Sequence, residues 1–368
     1  MKPVIVDLFA GVGGMSLGAA RAGFHIGAAF EWDRIALRAH ALNFPTTFHS
    51  DRDVATLSGR ELLDAAERPS ISGLIGGPPC QGFSTIGKRL IDDPRNSLFG
   101  HFFRLVRESD PAFFVAENVP GILSPRNKQQ VEDALAQVPS RYRMLPPRIV
   151  VASDFGVPTS RRRVFFVGYD PERLTDIDAD ELFAPLQYTV SVREALSGLP
   201  AVRPTWQSVE QGWRKVGEGI TNSEFKERLK ARVPEGVGDA NALARIAQGW
   251  ISGNLGTVHE SEVVRRFRAV KPGATDAISR APRLNPNGFC PTLRAGTNSD
   301  RGSFQAVRPI HFSVPRVITP REAARLQGFP DWFQFDDTKW HSFRQIGNSV
   351  SPGVAEALLG RLKTHLRD

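Results

Sequence analysis

The first half of the chain alternates between short apolar runs and segments in which apolar residues recur at helical spacing. The apolar runs predict strands at 4–8, 25–30, 73–76, 113–116, 149–151 and 164–168. The segments between them predict helices at 14–22, 33–42, 96–108 and 128–138. Strands that alternate with helices indicate an α/β fold, with a mostly parallel sheet and helices on both faces. Ligands of such sheets bind at the carboxyl ends of the strands.

This regular pattern fades near residue 186 and returns near residue 317. Between them the chain is rich in Gly, Pro and Arg and has only short apolar runs. Thr319 followed by Pro320 and Glu322 predicts a helix that begins with a capping box, and 354–366 predicts a closing amphipathic helix. We therefore predict an α/β domain of residues 1–185 and 317–368, interrupted by a smaller irregular domain of residues 186–316.

The positive charge of the chain is concentrated in this inserted segment. Residues 203–316 contain 18 Lys and Arg and 10 Asp and Glu, a difference that equals the net charge of +8 of the whole chain. A local basic excess favours a polyanion partner such as nucleic acid, because neutralised phosphates release counterions. A basic domain that is merely soluble is the alternative.

Cysteine content and the lack of long apolar runs limit the class of protein. The only two cysteines, Cys80 and Cys290, exclude a disulfide framework. No apolar run has the length of a membrane span, and the N-terminus resembles a strand rather than a signal peptide. We therefore expect a cytoplasmic protein without a membrane partner.

Two loops that follow predicted strands have the composition of a nucleotide site. Glycines at 11, 13 and 14 let the backbone approach a ligand closely, although Ser16 stands where the strict dinucleotide motif needs its third glycine. Glu31 ends the second strand, where an acidic residue commonly binds ribose hydroxyls, and Trp32 offers a flat face for a purine. A tight turn and an acidic helix N-terminus are the alternatives.

A third loop places a cysteine where a nucleophile would be expected. Pro78 and Pro79 restrict the backbone just before Cys80, and glycines flank the loop. A cysteine at the carboxyl end of a strand is in a position typical of a nucleophile. Cys290 has no such surroundings, and we interpret it as a buried structural cysteine.

Charged side chains follow the next strands. Glu117 follows an apolar strand, where it could share a proton with a bound base, or cap a helix. Arg161 and Arg163 are two residues apart, so in an extended strand they would share a face, which suits a phosphate or a polarised carbonyl. A solvated basic edge strand is the alternative.

Together these loops resemble the motifs of the cytosine-C5 DNA methyltransferase family, in the same order. The matching segments are DLFAGVGG at 7–14, PPCQGFS at 78–84, ENV at 117–119, EAARLQGFP at 322–330 and QIGNSV at 345–350. The resemblance covers roughly residues 1–170 and 316–360, and the basic insert lies where that family has its target recognition domain. One departure is Thr159, where the family usually has Gln.

The resemblance implies a Rossmann-like, S-adenosylmethionine-dependent fold and a sequence-specific DNA methyltransferase. Its substrates would be S-adenosyl-L-methionine and a cytosine flipped out of duplex DNA, with S-adenosyl-L-homocysteine as a product and no metal. Cys80 would add to C6 of the cytosine, and Glu117 would contact N3 and the exocyclic amine. Arg163 would contact O2, while Arg161 would help to place the Cys80 loop and the sugar–phosphate. With no obvious side-chain base, we expect water to take the C5 proton.

The same resemblance implies two sets of binding residues. Those for the cofactor are Phe9, Ala10, Gly11, Gly13, Gly14, Glu31, Trp32, Asp53, Pro79, Leu98, Asn348, Ser349 and Val350. Asp53 would accept from the adenine amine, with Asp51 as its rival. Those for DNA are Gln81, Ser84, Lys88, Arg89 and Arg95, in a loop expected to close over the duplex, and Thr292 and Arg294, in a short recognition signature. Arg301 and Arg308 are further candidate groove or phosphate contacts.

Three other functions remain open at this stage. They are a transfer-RNA cytosine methyltransferase of the same family, a catalytically silent DNA-binding protein, and a dehydrogenase, which Ser16 disfavours. The expected partner is duplex DNA, and the protein is expected to act as a monomer in the bacterial cytoplasm, associated with the nucleoid. Two questions are left open: whether the protein is functionally paired with a restriction endonuclease, and which DNA sequence it recognises.

Overall fold

The structure is a computed structural model that describes residues 2–79, 97–202, 212–216, 225, 227, 229, 233–295 and 307–367. Within them the main sheet has the strand order β3-β2-β1-β4-β5-β8-β6, and β7 also pairs with β8. Its strands are β1 Val4–Leu8, β2 His25–Phe30, β3 Phe48–Ser50, β4 Gly73–Gly76, β5 Phe113–Asn118, β6 Arg143–Met144, β7 Arg148–Val151 and β8 Arg162–Tyr169. A separate pair consists of β9 Arg214–Lys215 and β10 Trp250–Ile251.

The sheet is parallel on one side and antiparallel on the other. Strands β1 to β5 pair in parallel, whereas β8 runs antiparallel to β5, β6 and β7. The predicted α/β class with a mostly parallel sheet is confirmed. Because β1, β2, β4 and β5 point the same way, the loops after Leu8, Phe30, Gly76 and Asn118 meet at one edge.

Helices cover both faces of this sheet. In chain order they are α1 Gly14–Arg21, α2 Arg34–Asn43, α3 Gly59–Ala65, α4 Ser97–Ser109, α5 Lys128–Leu135, α6 Ala179–Leu182, α7 Val192–Leu196, α8 Ala240–Ala247, α9 Ser261–Ala269, α10 Pro320–Leu326, α11 Lys339–Asn348 and α12 Pro352–Thr364. Successive strand residues point to opposite faces. Ile5 accordingly packs in the cluster that includes Leu17 of α1 and Leu358 of α12, and Val6 in the cluster that includes Phe102 of α4.

Capping residues determine where two of the predicted helices begin. The carboxylate of Asp33 accepts from the backbone N–H groups of Ile35 and Ala36, so α2 begins one residue later than predicted. The capping box of Thr319 and Glu322 is confirmed, with both reciprocal hydrogen bonds present. Helices α3 and α11 were not predicted.

Buried polar contacts join the inserted segment to the α/β core. The fully buried guanidinium of Arg321 in α10 donates to the backbone oxygens of Ser252, Pro330 and Phe333 and so satisfies three buried acceptors. Val192 and Leu196 of α7 pack in the same apolar cluster as the core helices. Residues just after 186 therefore contribute to the core, and the exact limits of the inserted domain stay a prediction.

No helix among the described residues is long and apolar enough to cross a membrane.

Candidate active site

A cavity of about 610 Å³ opens at the carboxyl ends of the parallel strands. Its wall includes most of the residues expected to bind a cofactor: Phe9, Ala10, Gly11, Gly14, Glu31, Trp32, Asp53, Pro79, Leu98, Asn348, Ser349 and Val350. Glu117 and Arg163, which were expected to act on the substrate, line the same cavity. The sheet thus brings residues from opposite ends of the chain to one site.

The glycine turn after β1 forms the floor of the cavity. Gly14 lines it, and a Cβ there would lie 2.2 Å from the backbone oxygen of Val350. Gly13, which was also expected to contact the cofactor, is not among the residues that line the cavity. It has φ +98°, and a Cβ there would lie 2.5 Å from the ring of Phe44 and 2.9 Å from that of His40. The absence of a side chain at 13 therefore suits the turn geometry and the close packing around it.

Glu31 is held in place by backbone donors at both carboxylate oxygens. Its Oε2 accepts from Gly11 N and its Oε1 from Asp33 N, each at 2.8 Å. Burial raises the pKa of Glu31 above its usual value, although these two bonds oppose the rise. Each oxygen keeps a lone pair for a ligand hydroxyl. The adjacent Trp32 is 70% exposed, so its indole face is available to a ligand ring.

The rival aspartates at 51 and 53 have different surroundings. Asp53 lines the cavity, and its Oδ1 accepts from Ala55 N at the start of a short 3₁₀ turn. Its Oδ2 accepts no hydrogen bond from any residue that the structure describes. Asp51 is outside the cavity wall and pairs with Arg34 at 2.6 Å.

At the opposite end of the cavity, Glu117 faces Arg163 across the pair of β5 and β8. Nε of Arg163 lies 2.6 Å from Oε1 of Glu117, and both side chains are largely buried. The contact is an ion pair without an aligned hydrogen bond to that oxygen. Asn118 Nδ2 donates to the backbone oxygen of Pro78, and a Cβ on Gly77 would lie 3.4 Å from Oε2 of Glu117. The residues just before Cys80 are therefore fixed beside the buried acid.

Comparison with known proteins now assigns the family. The model of the family described as C-5 cytosine-specific DNA methylase matches residues 4–364. The chain belongs to the C-5 cytosine-specific DNA methylase family. Its members are cytosine-C5 DNA methyltransferases, and S-adenosylmethionine dependence is a property of the family. The resemblance inferred from the motifs is confirmed.

Individual relatives match this methylase over nearly its whole length. The type II methyltransferase M.XorII of Xanthomonas oryzae pv. oryzae is 40% identical, with 100% of this chain and 86% of the relative covered. M.DdeI of Desulfomicrobium norvegicum is 33% identical, with 99% and 89% covered. A crystal structure described as that of a DNA modification methyltransferase encoded within an E. coli prophage is 47% identical, with TM-score 0.89 and 99% of both chains covered. Schizosaccharomyces pombe Dnmt2, at 18% identity and TM-score 0.64 over 99% of both chains, shares the fold.

In this methylase Arg161 and Arg163 have separate partners, although their spacing predicted that they share one face of an extended strand. Strand β8 begins at Arg162, so Arg161 precedes it. The buried guanidinium of Arg161 donates to the backbone oxygens of Leu293, at 3.3 Å, and Gly347, at 2.9 Å. It therefore joins the inserted segment to α11 and lies outside the cavity wall.

The neighbouring part of the insert contacts α11 closely. A Cβ on Gly347 would lie 2.6 Å from Ala295 N. Thr292 is half-buried and Arg294 is exposed, so Arg294 is accessible to a partner. Arg308 donates to the backbone oxygen of Arg294, and its guanidinium lies 4.3 Å from the centroid of the Phe343 ring.

The departure at Thr159 is explained by a contact with the insert. Its side chain is fully buried, and Oγ1 donates to the backbone oxygen of Cys290 at 3.0 Å. Cys290 is itself buried, and burial raises the pKa of its thiol. This supports its interpretation as a structural cysteine. The other predicted residues Cys80, Gln81, Ser84, Lys88, Arg89, Arg95 and Arg301 lie outside the described residues.

A buried polar chain that was not predicted from the sequence lies beneath the glycine turn. Ser16 Oγ donates to Oδ2 of Asp7 at 2.6 Å, His40 Nε2 lies 3.1 Å from that hydroxyl, and His40 Nδ1 lies 2.8 Å from His49 Nε2. Burial raises the pKa of Asp7 to about 7. Ser16, noted only as a missing glycine, is a partner of this carboxyl group.

Further charged or titratable residues that were not predicted also line the cavity, among them Arg52, His341 and Arg344. His341 and Arg344 lie three residues apart in α11, and Asn348 follows four residues later. This spacing places all three on one helix face. A prediction of helix α11 would have allowed this spacing to identify His341 and Arg344 as candidates for the site.

Proposed function

We propose that this methylase transfers a methyl group from S-adenosyl-L-methionine to C5 of a cytosine flipped out of duplex DNA, through a transient bond between Cys80 Sγ and C6. The observation that carries the proposal is the single cavity with Glu31 and Asp53 at one end and the Glu117–Arg163 pair at the other. A nucleoside-sized cofactor and a base entering from the DNA could therefore meet inside it.

The residues at the first end fit an adenosyl cofactor. Glu31 has acceptor capacity for ribose hydroxyls, Oδ2 of Asp53 is available to an amine, and Trp32 presents an exposed ring face. Gly14 keeps the floor free of a side chain. These observations favour Asp53 over Asp51 as the adenine contact. When bound, the cofactor supplies an electrophilic methyl group on a sulfonium and becomes S-adenosyl-L-homocysteine.

The residues at the second end fit a cytosine ring. C5 of cytosine is a weak nucleophile until a thiolate adds at C6, which converts the ring to an enamine. Glu117 would contact N3 and the exocyclic amine as this bond forms, and Arg163 would donate to O2. After C5 takes the methyl group, loss of the C5 proton to water and expulsion of the Cys80 thiolate restore the aromatic ring. Arg163 already neutralises Glu117 before a base arrives.

Two assays test this proposal. Duplex DNA that contains 5-fluorocytosine should form a denaturation-resistant adduct in the presence of the cofactor, because fluorine at C5 cannot leave as a proton. Cys80→Ser should form no adduct. Bisulfite sequencing of DNA from cells that express the protein should give the modified cytosine and the target sequence together. Methyl transfer to transfer RNA but not to duplex DNA would overturn the substrate assignment.

The insert would supply target recognition, with Arg294 as an exposed candidate for a DNA contact. The curated relatives M.XorII and M.DdeI are type II methyltransferases, which supports a modification function in a restriction–modification pair. If so, DNA from expressing cells should resist an endonuclease whose site coincides with the sequence mapped by bisulfite. If the endonuclease cleaves DNA that is fully methylated at that site, the proposed restriction–modification pairing is contradicted.

A further inference from the structure

Helix α11 contributes more to the cavity wall than the predicted Asn348. His341, Arg344 and Gln345 also line the cavity, and all four residues lie on one face of the helix. Arg344 is the one permanent cation that α11 contributes to the wall. Its position relative to the acidic residues of the β2–α2 loop suggests a specific function.

A continuous set of contacts links Arg344 to Glu31. Nη1 of Arg344 lies 3.0 Å from Oδ2 of Asp33, whose other carboxylate oxygen caps α2. The backbone N–H of Asp33 donates to Oε1 of Glu31 at 2.8 Å, and Gly11 N donates to Oε2. Arg344 therefore fixes the segment 31–33 from the side opposite the glycine turn.

The charges around Glu31 are unbalanced without this arginine. Burial and the carboxylate of Asp33, two residues along the chain, both raise the pKa of Glu31 and so disfavour its ionised form. Arg344 opposes them and favours the ionised form. The remaining charged or titratable groups of the wall are Arg52, Asp53, Glu117, Arg163 and His341.

We infer that Arg344 is a positioning residue that, through its contact with Asp33, holds the Glu31 carboxylate where it can accept the ribose hydroxyls of the cofactor. The inference rests on the proposed cofactor, and it assigns a function in cofactor binding to α11 beyond Asn348. A carboxylate accepts hydroxyl donors at both oxygens, whereas a protonated carboxyl group loses one acceptor position. Cofactor affinity should then fall as the pH falls through the pKa of Glu31, and loss of Arg344 should move that fall to higher pH.

The test is calorimetric titration of the full-length protein with S-adenosyl-L-homocysteine at pH 6 and pH 8.5, in two buffers of different ionisation enthalpy. We expect Arg344→Gln to weaken binding about fivefold more at pH 6 than at pH 8.5, the size of a partly screened charge pair. It should also release more protons on binding at pH 6 than the wild type. Arg344→Lys, which keeps the charge, should restore the wild-type pH profile.

Arg34→Gln is the matched control. Arg34 also pairs with an aspartate, Asp51, beside the same loop, but it is outside the cavity wall. Arg34→Gln should leave both the affinity and the proton release unchanged. His341 is present in every variant, so its own titration contributes equally to each measurement. If Arg344→Gln weakens binding equally at both pH values with unchanged proton release, Arg344 is only a structural clamp and the inference is wrong. If the wild type does not bind the ligand, the cofactor proposal itself fails.

Discussion

The contact between Gly14 and Val350 allows a specific prediction for Gly14→Ala. An added Cβ would lie 2.2 Å from the backbone oxygen of Val350, whereas ordinary contacts of a Cβ begin at 3.4 Å. Val350 would have to move by about 1.2 Å, and it belongs to the wall of the proposed cofactor site. A misplacement of about 1 Å can cost about 100-fold in the rate of a reaction, and we take the same factor as the order of magnitude for binding. We expect affinity for S-adenosyl-L-homocysteine to fall by about that factor.

Gly18→Ala is the control for this prediction. Gly18 lies in the same helix, and its Cβ would be 2.4 Å from the Cβ of Ala355 in α12, away from the cavity. Both variants should lose about 1–3 kcal/mol of unfolding free energy through overpacking. Calorimetric titration and urea unfolding would be measured on each. Equal loss of affinity in the two variants, or normal affinity in Gly14→Ala, would refute the assignment of the Gly14–Val350 contact to the cofactor site.

Three further predictions concern buried groups. The pKa of Asp7 is raised to about 7 in the folded protein from 3.8, so its ionisation costs stability as the pH rises from about 4 to 7. We therefore compare the unfolding free energies of Asp7→Asn and the wild type by urea unfolding. The difference in favour of the variant should be up to about 4 kcal/mol larger at pH 8 than at pH 4. Arg321→Met should lower the unfolding free energy by about 3 kcal/mol or more, because three backbone oxygens lose their donor; a thermal melt within 1–2 °C of wild type would contradict this. Thr159→Val should cost about 1 kcal/mol in urea unfolding by removing the bond to the backbone oxygen of Cys290, and an unchanged midpoint would show that the bond contributes nothing.

Local patterns were sufficient for the α/β framework. The strands His25–Phe30 and Gly73–Gly76 were predicted to the residue, because runs buried on both faces are continuously apolar and end in polar or glycine-rich loops. The capping box at Thr319 is likewise local, since all its atoms lie within four residues. Helix α11 was not predicted because only two of its ten residues, Phe343 and Ile346, are large, apolar and buried. The other buried positions of this helix are polar residues or glycine. Its helical pattern depends on polar side chains that face a cavity.

The family, the order of the motifs and the residue types available for chemistry can all be inferred from the amino-acid sequence alone. Which of those residues share a cavity depends on how the chain folds. Two arginines two positions apart have different partners because β8 begins between them. Two adjacent glycines likewise differ, since Gly14 lines the cavity and Gly13 packs against Phe44 and His40. Arg344 contacts Asp33 and influences Glu31, although 313 positions separate Arg344 from Glu31 in the chain. This contact forms because α11 packs across the end of the sheet. Such long-range packing leaves no local signal in the chain.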